Sequence, residues 1–185
     1  HINTGDLTHE LREMEFPKGS RGYKIGNYAA NHFAGIKGVL RPTLTLANAA
    51  HTVLGTGLMS SMTRGMHKLG LPLWTPAMPK SYKVKAKEIL TNKSPMKVVY
   101  FPSCINQTMG LAKKSPEELP LVNKMASLLY KAGYEIIFPE GMDDLCCGTI
   151  WESKGMPDIA DRKVKDLEAA LWKASNQGEY PVLCD

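Results

Sequence analysis

The second half of the chain repeats one pattern, in which a short apolar run is followed by a segment of helical periodicity. The apolar runs are KVVYF at 97–101, YEIIF at 134–138 and YPVLC at 180–184. Runs of this length, rich in β-branched and aromatic residues, predict buried β-strands. A helix between two such strands returns the chain parallel to its start, with a right-handed crossover in nearly every case. We therefore expect an α/β fold built on a β-α-β-α-β parallel-sheet unit.

The two segments between these strands carry apolar residues at three- and four-residue steps, the spacing of an amphipathic helix. The first runs from Pro116 to Ala132 and is followed by Gly133. The second occupies residues 156–178 and closes at Gly178. Because glycine commonly follows the last residue of a helix, both segments are predicted to be single helices that end at these glycines.

The first half of the chain predicts a helical region rich in glycine and alanine. Its periodicity indicates three helices, within residues 3–15, 20–41 and 42–70. Pro42 suits the first turn of the third helix and Gly70 suits its end. The apolar residues of the middle helix fall on one face: Ile25, Tyr28, Ala29, Phe33, Ile36 and Leu40.

A proline-rich stretch over residues 70–95 separates the two halves. Proline interrupts regular structure, and such stretches commonly mark domain boundaries. We therefore predict a helical domain at 1–93 and a cysteine-rich α/β domain at 94–185.

The composition, 43% hydrophobic and 22% charged, is that of a globular protein, with no run of about 18 apolar residues that would span a membrane. The few, irregularly spaced cysteines favour a reducing compartment over a disulfide framework. We expect a cytoplasmic protein, or one bound peripherally at the inner face of the membrane. The net charge of +5 is concentrated in the first half, which favours a basic face that is docked on an acidic neighbour or simply solvated. No basic and aromatic recognition pattern is present, so no nucleic acid partner is expected.

The four cysteines all lie at or just beyond the carboxyl end of a predicted strand. Cys104 follows the first strand, Cys146 and Cys147 follow the second, and Cys184 ends the third. Parallel strands share one carboxyl edge, where open α/β sheets place their sites. The sequence thus predicts that the four thiols converge at this edge.

Cys146 and Cys147 are adjacent, which makes a disulfide between them unfavourable, since neighbouring Cα atoms lie about 3.8 Å apart. Gly148 would allow a tight turn, and a helix after it would favour thiolates. Buried structural cysteines, a metal site and a reactive thiol pair all remain open. Thiolates suit zinc or iron–sulfur, although the spacing is not that of paired C-x-x-C elements.

The motifs FPSC at 101–104 and CCG at 146–148, with Cys184 beyond them, resemble the CCG cysteine-rich domain family. This family includes the cysteine-rich component of heterodisulfide reductase, the iron–sulfur subunits of glycolate oxidase and anaerobic glycerol-3-phosphate dehydrogenase, and FAD-linked D-lactate dehydrogenases. The stretch CCGTIWESKG at 146–155 looks most like the last of these, and HINTGDL at 1–7 resembles the segment after a ferredoxin-type motif.

The resemblance implies a 4Fe-4S-type cluster, with zinc as an alternative, held by Cys104, Cys146, Cys147 and Cys184, with Gly148 in the cofactor-binding turn. It implies a fragment of a flavin- and iron–sulfur-dependent dehydrogenase of a 2-hydroxyacid, D-lactate or glycolate. The chain would be its electron-transfer module, inactive alone and without a catalytic residue of its own.

The partners implied by the resemblance are the rest of that enzyme and its electron acceptor. The rest comprises an FAD-binding domain, ferredoxin motifs and a second CCG copy, and the acceptor is a quinone or a cytochrome. Two alternatives are a structural zinc-binding interaction domain and a thiol redox module like heterodisulfide reductase. In the redox module, Cys146 or Cys147 would be the nucleophile.

Overall fold

The structure, a computed structural model, describes residues 4–67 and 74–185. The helices of the described residues are α1 (Thr4–Glu15), α2 (Arg21–Asn31), α3 (Phe33–His67), α4 (Leu121–Lys131), α5 (Thr149–Glu152) and α6 (Pro157–Ala174). The strands are β1 (Pro79–Ser81), β2 (Lys97–Phe101), β3 (Met109–Ala112), β4 (Glu135–Ile137) and β5 (Val182–Cys184). A 3₁₀ turn follows β1 at Ala86–Glu88. No helix in the described part of the chain is long and apolar enough to cross a membrane.

Three strands form a parallel sheet in the order β4-β2-β5, which confirms the predicted α/β class. β2 lies in the centre, where Val99 pairs with Ile137 of β4 and with Val182 of β5. The four residues from Val98 to Phe101 are all buried, as expected of a strand covered on both faces. β4 and β5 are shorter than the apolar runs that predicted them.

The connecting helices occur where they were predicted, but the first begins later and the second ends at Ala174, before the predicted stop at Gly178. α4 starts at Leu121, whereas the periodicity placed its start at Pro116. Pro120 has an extended ψ of 153° and stands at the N-cap. Helical backbone is disfavoured at the residue before a proline, so Leu119 and the residues before it stay outside the helix. α6 carries Pro157 in its first turn, where proline is well tolerated.

The helices of the first half are divided differently from the prediction. α3 runs through Pro42, where a new helix was expected, and the preceding break is at His32, with φ −122° and ψ 30°. A second interruption occurs at Gly55, whose φ of 72° and ψ of 173° are not helical. The predicted stop at Gly70 lies outside the described residues.

The apolar face predicted for 20–41 is buried only at Phe33, whereas Ile25, Tyr28 and Ile36 are 70%, 62% and 39% accessible. The face turned inward carries Ala30, Phe33 and, unexpectedly, Lys37, and it packs toward the second half of the chain.

A small antiparallel sheet of β1 and β3 was not predicted. β1 lies within the proline-rich stretch, and β3 lies in the chain after Cys104. This sheet contacts α3. Thr45 Oγ1 and Ser81 Oγ are 2.6 Å apart, and Arg41 Nε donates to the Tyr82 carbonyl at 3.1 Å.

Two apolar clusters form the core. One lies between the sheet and α4 and is built on Tyr100, Val122, Ala126 and Ile136. The other joins α2 and α3 to the cysteine-bearing loop and α6: Ala30, Phe33, Cys146, Trp151, Met156, Ile159 and Ala160. The second cluster holds the first-half helices against the region that carries the thiols.

Candidate functional site

All four cysteines occur where the chain leaves the carboxyl ends of the parallel strands. Cys184 is the last residue of β5 and pairs with Phe101, the last residue of β2. Cys104 follows Phe101 after Pro102 and Ser103. Cys146 and Cys147 lie in the loop between β4 and α5. The sheet therefore brings the three cysteine-bearing segments to one edge.

The segment after β2 is fixed by hydrogen bonds made within it. The Gln107 backbone N–H donates to the Ser103 carbonyl at 2.9 Å, and the Thr108 hydroxyl donates to the Cys104 carbonyl at 2.8 Å. The fully buried Gln107 side chain donates through Nε2 to the Pro102 carbonyl at 2.7 Å. We call residues 103–108 the Cys104 loop.

A second set of hydrogen bonds ties this loop to the end of β5. One Asp185 carboxylate oxygen accepts from the Ser103 backbone N–H at 2.8 Å and from Asn106 Nδ2 at 2.9 Å. The other accepts from the Tyr100 hydroxyl at 2.5 Å. Burial works against ionisation, but these donors hold the pKa of Asp185 below its usual value. Cys184 is thereby kept beside the Cys104 loop.

The loop that carries the adjacent cysteines, residues 141–148, turns at Gly148. Gly148 has a left-handed φ of 81°, and its carbonyl accepts from the Trp151 and Glu152 N–H groups at 2.9 and 3.1 Å. The expected tight turn followed by a helix is therefore present, although α5 is a single turn. A Cβ at this position would lie 2.7 Å from the Ala160 carbonyl oxygen, so the close approach of α6 also requires glycine. We call residues 141–148 the CCG loop.

The structure places Cys104 and Cys146 in the same part of the core. Buried Cys146 belongs to the second core cluster, and the partly buried Cys104 packs against that cluster. Cys147 is exposed, with Sγ 3.3 Å from the Thr149 hydroxyl, and Cys184 is also exposed. Within residues 4–67 and 74–185, no group of three or more His, Cys, Asp or Glu side chains is arranged to hold a metal ion.

The pKa values of the Cys104 and Cys146 thiols are shifted in opposite directions. The hydrogen bond from the Cys146 thiol lowers the pKa of Cys104 to about 7, against the effect of burial, and the Lys37 charge acts in the same direction. The same hydrogen bond, followed by burial, raises the pKa of Cys146, although the Gly148 backbone N–H opposes this. Burial also raises the pKa of Cys184. The thiol best able to ionise near neutral pH in this pair is Cys104.

Three cations that contact the loops carrying the thiols were not identified from the sequence. Lys37 and Lys163 each have a side chain only 3% exposed, and the Arg41 side chain is 13% exposed. Lys37 and Arg41 come from α3, and Lys163 comes from α6. A signal was available for Lys37, which lies four residues after Phe33 and seven after Ala30, on the face of the helix that is buried.

Each cation contacts the CCG loop. Arg41 Nη2 lies 2.6 Å from Asp143 Oδ1 and also donates to the Gln107 carbonyl at 3.2 Å. Burial opposes ionisation, but Arg41 keeps the pKa of Asp143 below its ordinary value. Lys163 Nζ lies 3.8 Å from Asp144 Oδ2. The loops that bear Cys104 and Cys146 are therefore anchored by positive charge from two different helices.

Comparisons of the chain with protein-family models, with curated proteins and with solved structures found no match. Any function proposed for the chain therefore relies on the residues at this sheet edge and on the resemblance of their motifs.

Proposed function

We propose that the chain is an electron-transfer module of a flavin- and iron–sulfur-dependent 2-hydroxyacid dehydrogenase, in which the four cysteines hold a 4Fe-4S-type cluster. The observation that carries the proposal is that the segments bearing the cysteines leave one edge of the parallel sheet, where Lys37 is hydrogen-bonded to both the Cys104 loop and the CCG loop. The CCGTIWESKG stretch favours D-lactate as the substrate of the whole enzyme, with glycolate as the alternative.

The residues present fit a thiolate-bound cluster in their chemistry. Thiolates are the preferred ligands of iron–sulfur clusters, and Cys104, with a pKa of about 7, is partly ionised at neutral pH. Lys37 provides positive charge near a group that would be anionic. Cys147 and Cys184, exposed at the same edge, would complete the ligand set by turning toward the paired thiols. When bound, a cluster would supply one-electron transfer.

The chain's own part in this reaction is to bind the cluster and to shield the thiols from water. Trp151 and Phe33 pack edge to face at 5.4 Å in the core cluster that contains Cys146, and they keep water from the inner side of the thiol pair. The carboxylates of the CCG loop are engaged with Arg41 and Lys163. Substrate oxidation is assigned to a flavin domain elsewhere in the enzyme, with a quinone or cytochrome as the acceptor.

Anaerobic reconstitution with iron and sulfide tests the proposal. We expect the wild-type chain to bind both and to develop the visible absorption of a cluster, whereas Cys104→Ser and Cys146→Ser retain several-fold less iron. Ser103→Ala, a small change beside Cys104 that leaves every thiol in place, is the control and should bind as much iron as the wild type. Zinc binding without sulfide would instead support the structural zinc domain, and absence of iron from the wild type would overturn the proposal.

A thiol redox module is the second candidate, favoured by the low pKa of Cys104. In metal-free protein, the rate of alkylation of Cys104 by iodoacetamide should rise with a midpoint near pH 7, as followed by peptide mass spectrometry. Cys146 should remain unmodified at that pH, because its pKa is raised. The nucleophile of such a module would thus be Cys104 rather than Cys146.

The variant Cys146→Ala provides the comparison for this measurement. It removes the hydrogen bond that stabilises the Cys104 thiolate, so the midpoint should move upward toward that of a free thiol, about 8.5. A wild-type midpoint already at that value would remove the support for this second candidate.

A further inference from the structure

The Lys37 amine joins the two cysteine-bearing loops. Nζ donates to Gln107 Oε1 of the Cys104 loop at 2.8 Å and to the Met142 carbonyl of the CCG loop at 3.4 Å. Both acceptors are neutral. Gln107 is itself fully buried and fixed to the Pro102 carbonyl, so the bridge is built into the interior of the protein.

The charge of Lys37 has one carboxylate partner among the residues that the structure describes, and this partner is shared with Arg41. Its nearest carboxylate contact is Asp143 Oδ1 at 4.0 Å, and that oxygen lies 2.6 Å from Arg41 Nη2. The Lys37 amine also lies 5.0 Å from the centre of the Phe33 ring. Burial lowers the pKa of Lys37, and the Asp143 carboxylate opposes this effect. A further anion held nearby would favour the charged amine.

Besides Asp143, the groups whose negative charge would act on Lys37 are the thiolates of the site. Cys104 and Cys146 both interact electrostatically with Lys37. Lys163 has the same degree of burial and also lies over the Phe33 ring, at 5.9 Å, but it faces two carboxylates, Asp144 at 3.8 Å and Asp166 at 3.7 Å. The two lysines are therefore matched in burial but differ in their carboxylate partners, which are two for Lys163 and one for Lys37.

We propose that Lys37 is the positioning residue of the thiol site: it clamps the Cys104 loop to the CCG loop and supplies the positive charge that faces the anionic group held there. The clamp follows from the hydrogen bonds that Lys37 donates to Gln107 and to the Met142 carbonyl. The charge effect rests on the proposed function, since it concerns a cluster bound to the thiols.

Hydrogen exchange of the metal-free chain tests the clamp. Lys37→Met removes the amine and keeps an unbranched apolar side chain. We expect amide exchange in residues 103–108 to become about tenfold faster, because the Gln107 side chain loses a charged hydrogen-bond donor. Lys163→Met, the matched control, should leave exchange in 103–108 unchanged. Equal exchange in Lys37→Met and wild type would overturn the clamp.

The midpoint potential of the reconstituted cluster tests the charge. Reduction adds negative charge, so removing a nearby cation favours the oxidised form. In Lys37→Met we expect about a tenfold change in the ratio of oxidised to reduced cluster at a fixed potential, which corresponds to a midpoint lower by about 59 mV for one electron. Lys37→Arg keeps the charge and should restore the wild-type potential even if exchange in 103–108 remains fast. Equal shifts in Lys37→Met and Lys163→Met would overturn the specific role of Lys37.

The two measurements separate this inference from the proposed function. If the wild type binds no iron, the proposed function and the charge effect fail together, and hydrogen exchange alone still decides the clamp. If Lys37→Met does not fold, Lys37→Gln, which retains a donor for Gln107 and lacks the charge, takes its place. It is expected to lower the potential while leaving exchange in 103–108 close to that of the wild type.

Discussion

Replacing Gly148 by alanine is expected to destabilise the folded protein by about 2–5 kcal/mol, the combined cost of a left-handed alanine and an overpacked contact. The backbone at Gly148 has φ 81°, and the added Cβ would lie 2.7 Å from the Ala160 oxygen and 3.1 Å from the Ala160 carbonyl carbon. These are backbone atoms of α6, so no side-chain rotation relieves the overlap. Urea denaturation with linear extrapolation measures the loss.

Gly141→Ala is the matched control for this prediction. Gly141 begins the CCG loop and also has a positive φ, 66°, but a Cβ there would meet no atom within 4 Å. Its substitution should therefore cost only about 1–2 kcal/mol, the penalty of the left-handed conformation. Equal losses in the two variants would show that contact with α6 contributes nothing at Gly148.

The Gly148 variant also bears on the thiol site. Any shift of the loop away from α6 moves Cys146 out of the core cluster that contains Ala160. Folded Gly148→Ala protein is therefore expected to bind less iron than folded Gly141→Ala protein under the same reconstitution. The iron content of the two variants, each normalised to folded protein, measures the effect.

Trp151→Ala is expected to cost about 3–5 kcal/mol, the usual range for truncating a buried aromatic side chain. Trp151 is 5% exposed, donates from Nε1 to the Gly26 carbonyl at 3.0 Å and packs edge to face on Phe33. Its loss would open a cavity between α2 and the CCG loop. Thermal and urea unfolding both measure the change, and Trp151→Phe should recover all but about 1 kcal/mol, which reflects the hydrogen bond.

Trp172 provides the control for Trp151, since it is the same residue type in the same half of the chain but 58% exposed. Trp172→Ala should cost much less, because most of its surface is already in water. If both substitutions destabilise equally, the junction between the first-half helices and the CCG loop is not a well-packed core.

The strands and the connecting helices were predictable because their signals are local. The central strand at 97–101 matched the structure residue for residue, and the other two strands lay within their predicted runs. The late start of α4 at Leu121 also had a local cause, since Pro120 disfavours helix at the residue before it. The boundary between domains at 1–93 and 94–185 remains a prediction. The hydrogen bond from Trp151 to the Gly26 carbonyl shows that residues on either side of it are in contact.

The buried face of the first-half helices was not predictable in the same way. Apolar periodicity marked Ile25 and Tyr28, yet these are exposed, and the inward face carries Lys37. A helix can have more than one face able to pack against a neighbour. Which of these faces is buried depends on the surface that the helix docks against. Here the surface is the CCG loop with α6, which carries carbonyl and carboxylate acceptors able to satisfy buried cations.

The sequence by itself determined that the cysteine-bearing segments leave one edge of a parallel sheet. The succession of strands and crossover helices along the chain makes the strands parallel, and the spacing of the cysteines places each of them at or beyond a strand's carboxyl end. Only the tertiary structure decided that Cys104 packs on the core cluster that contains Cys146, that the pKa values of the two thiols diverge, and that Lys37 bridges the two loops that carry them. The physical reason is that hydrogen bonding, burial and charge at this edge come from segments far apart in the chain, and their separation is fixed only when the helices dock.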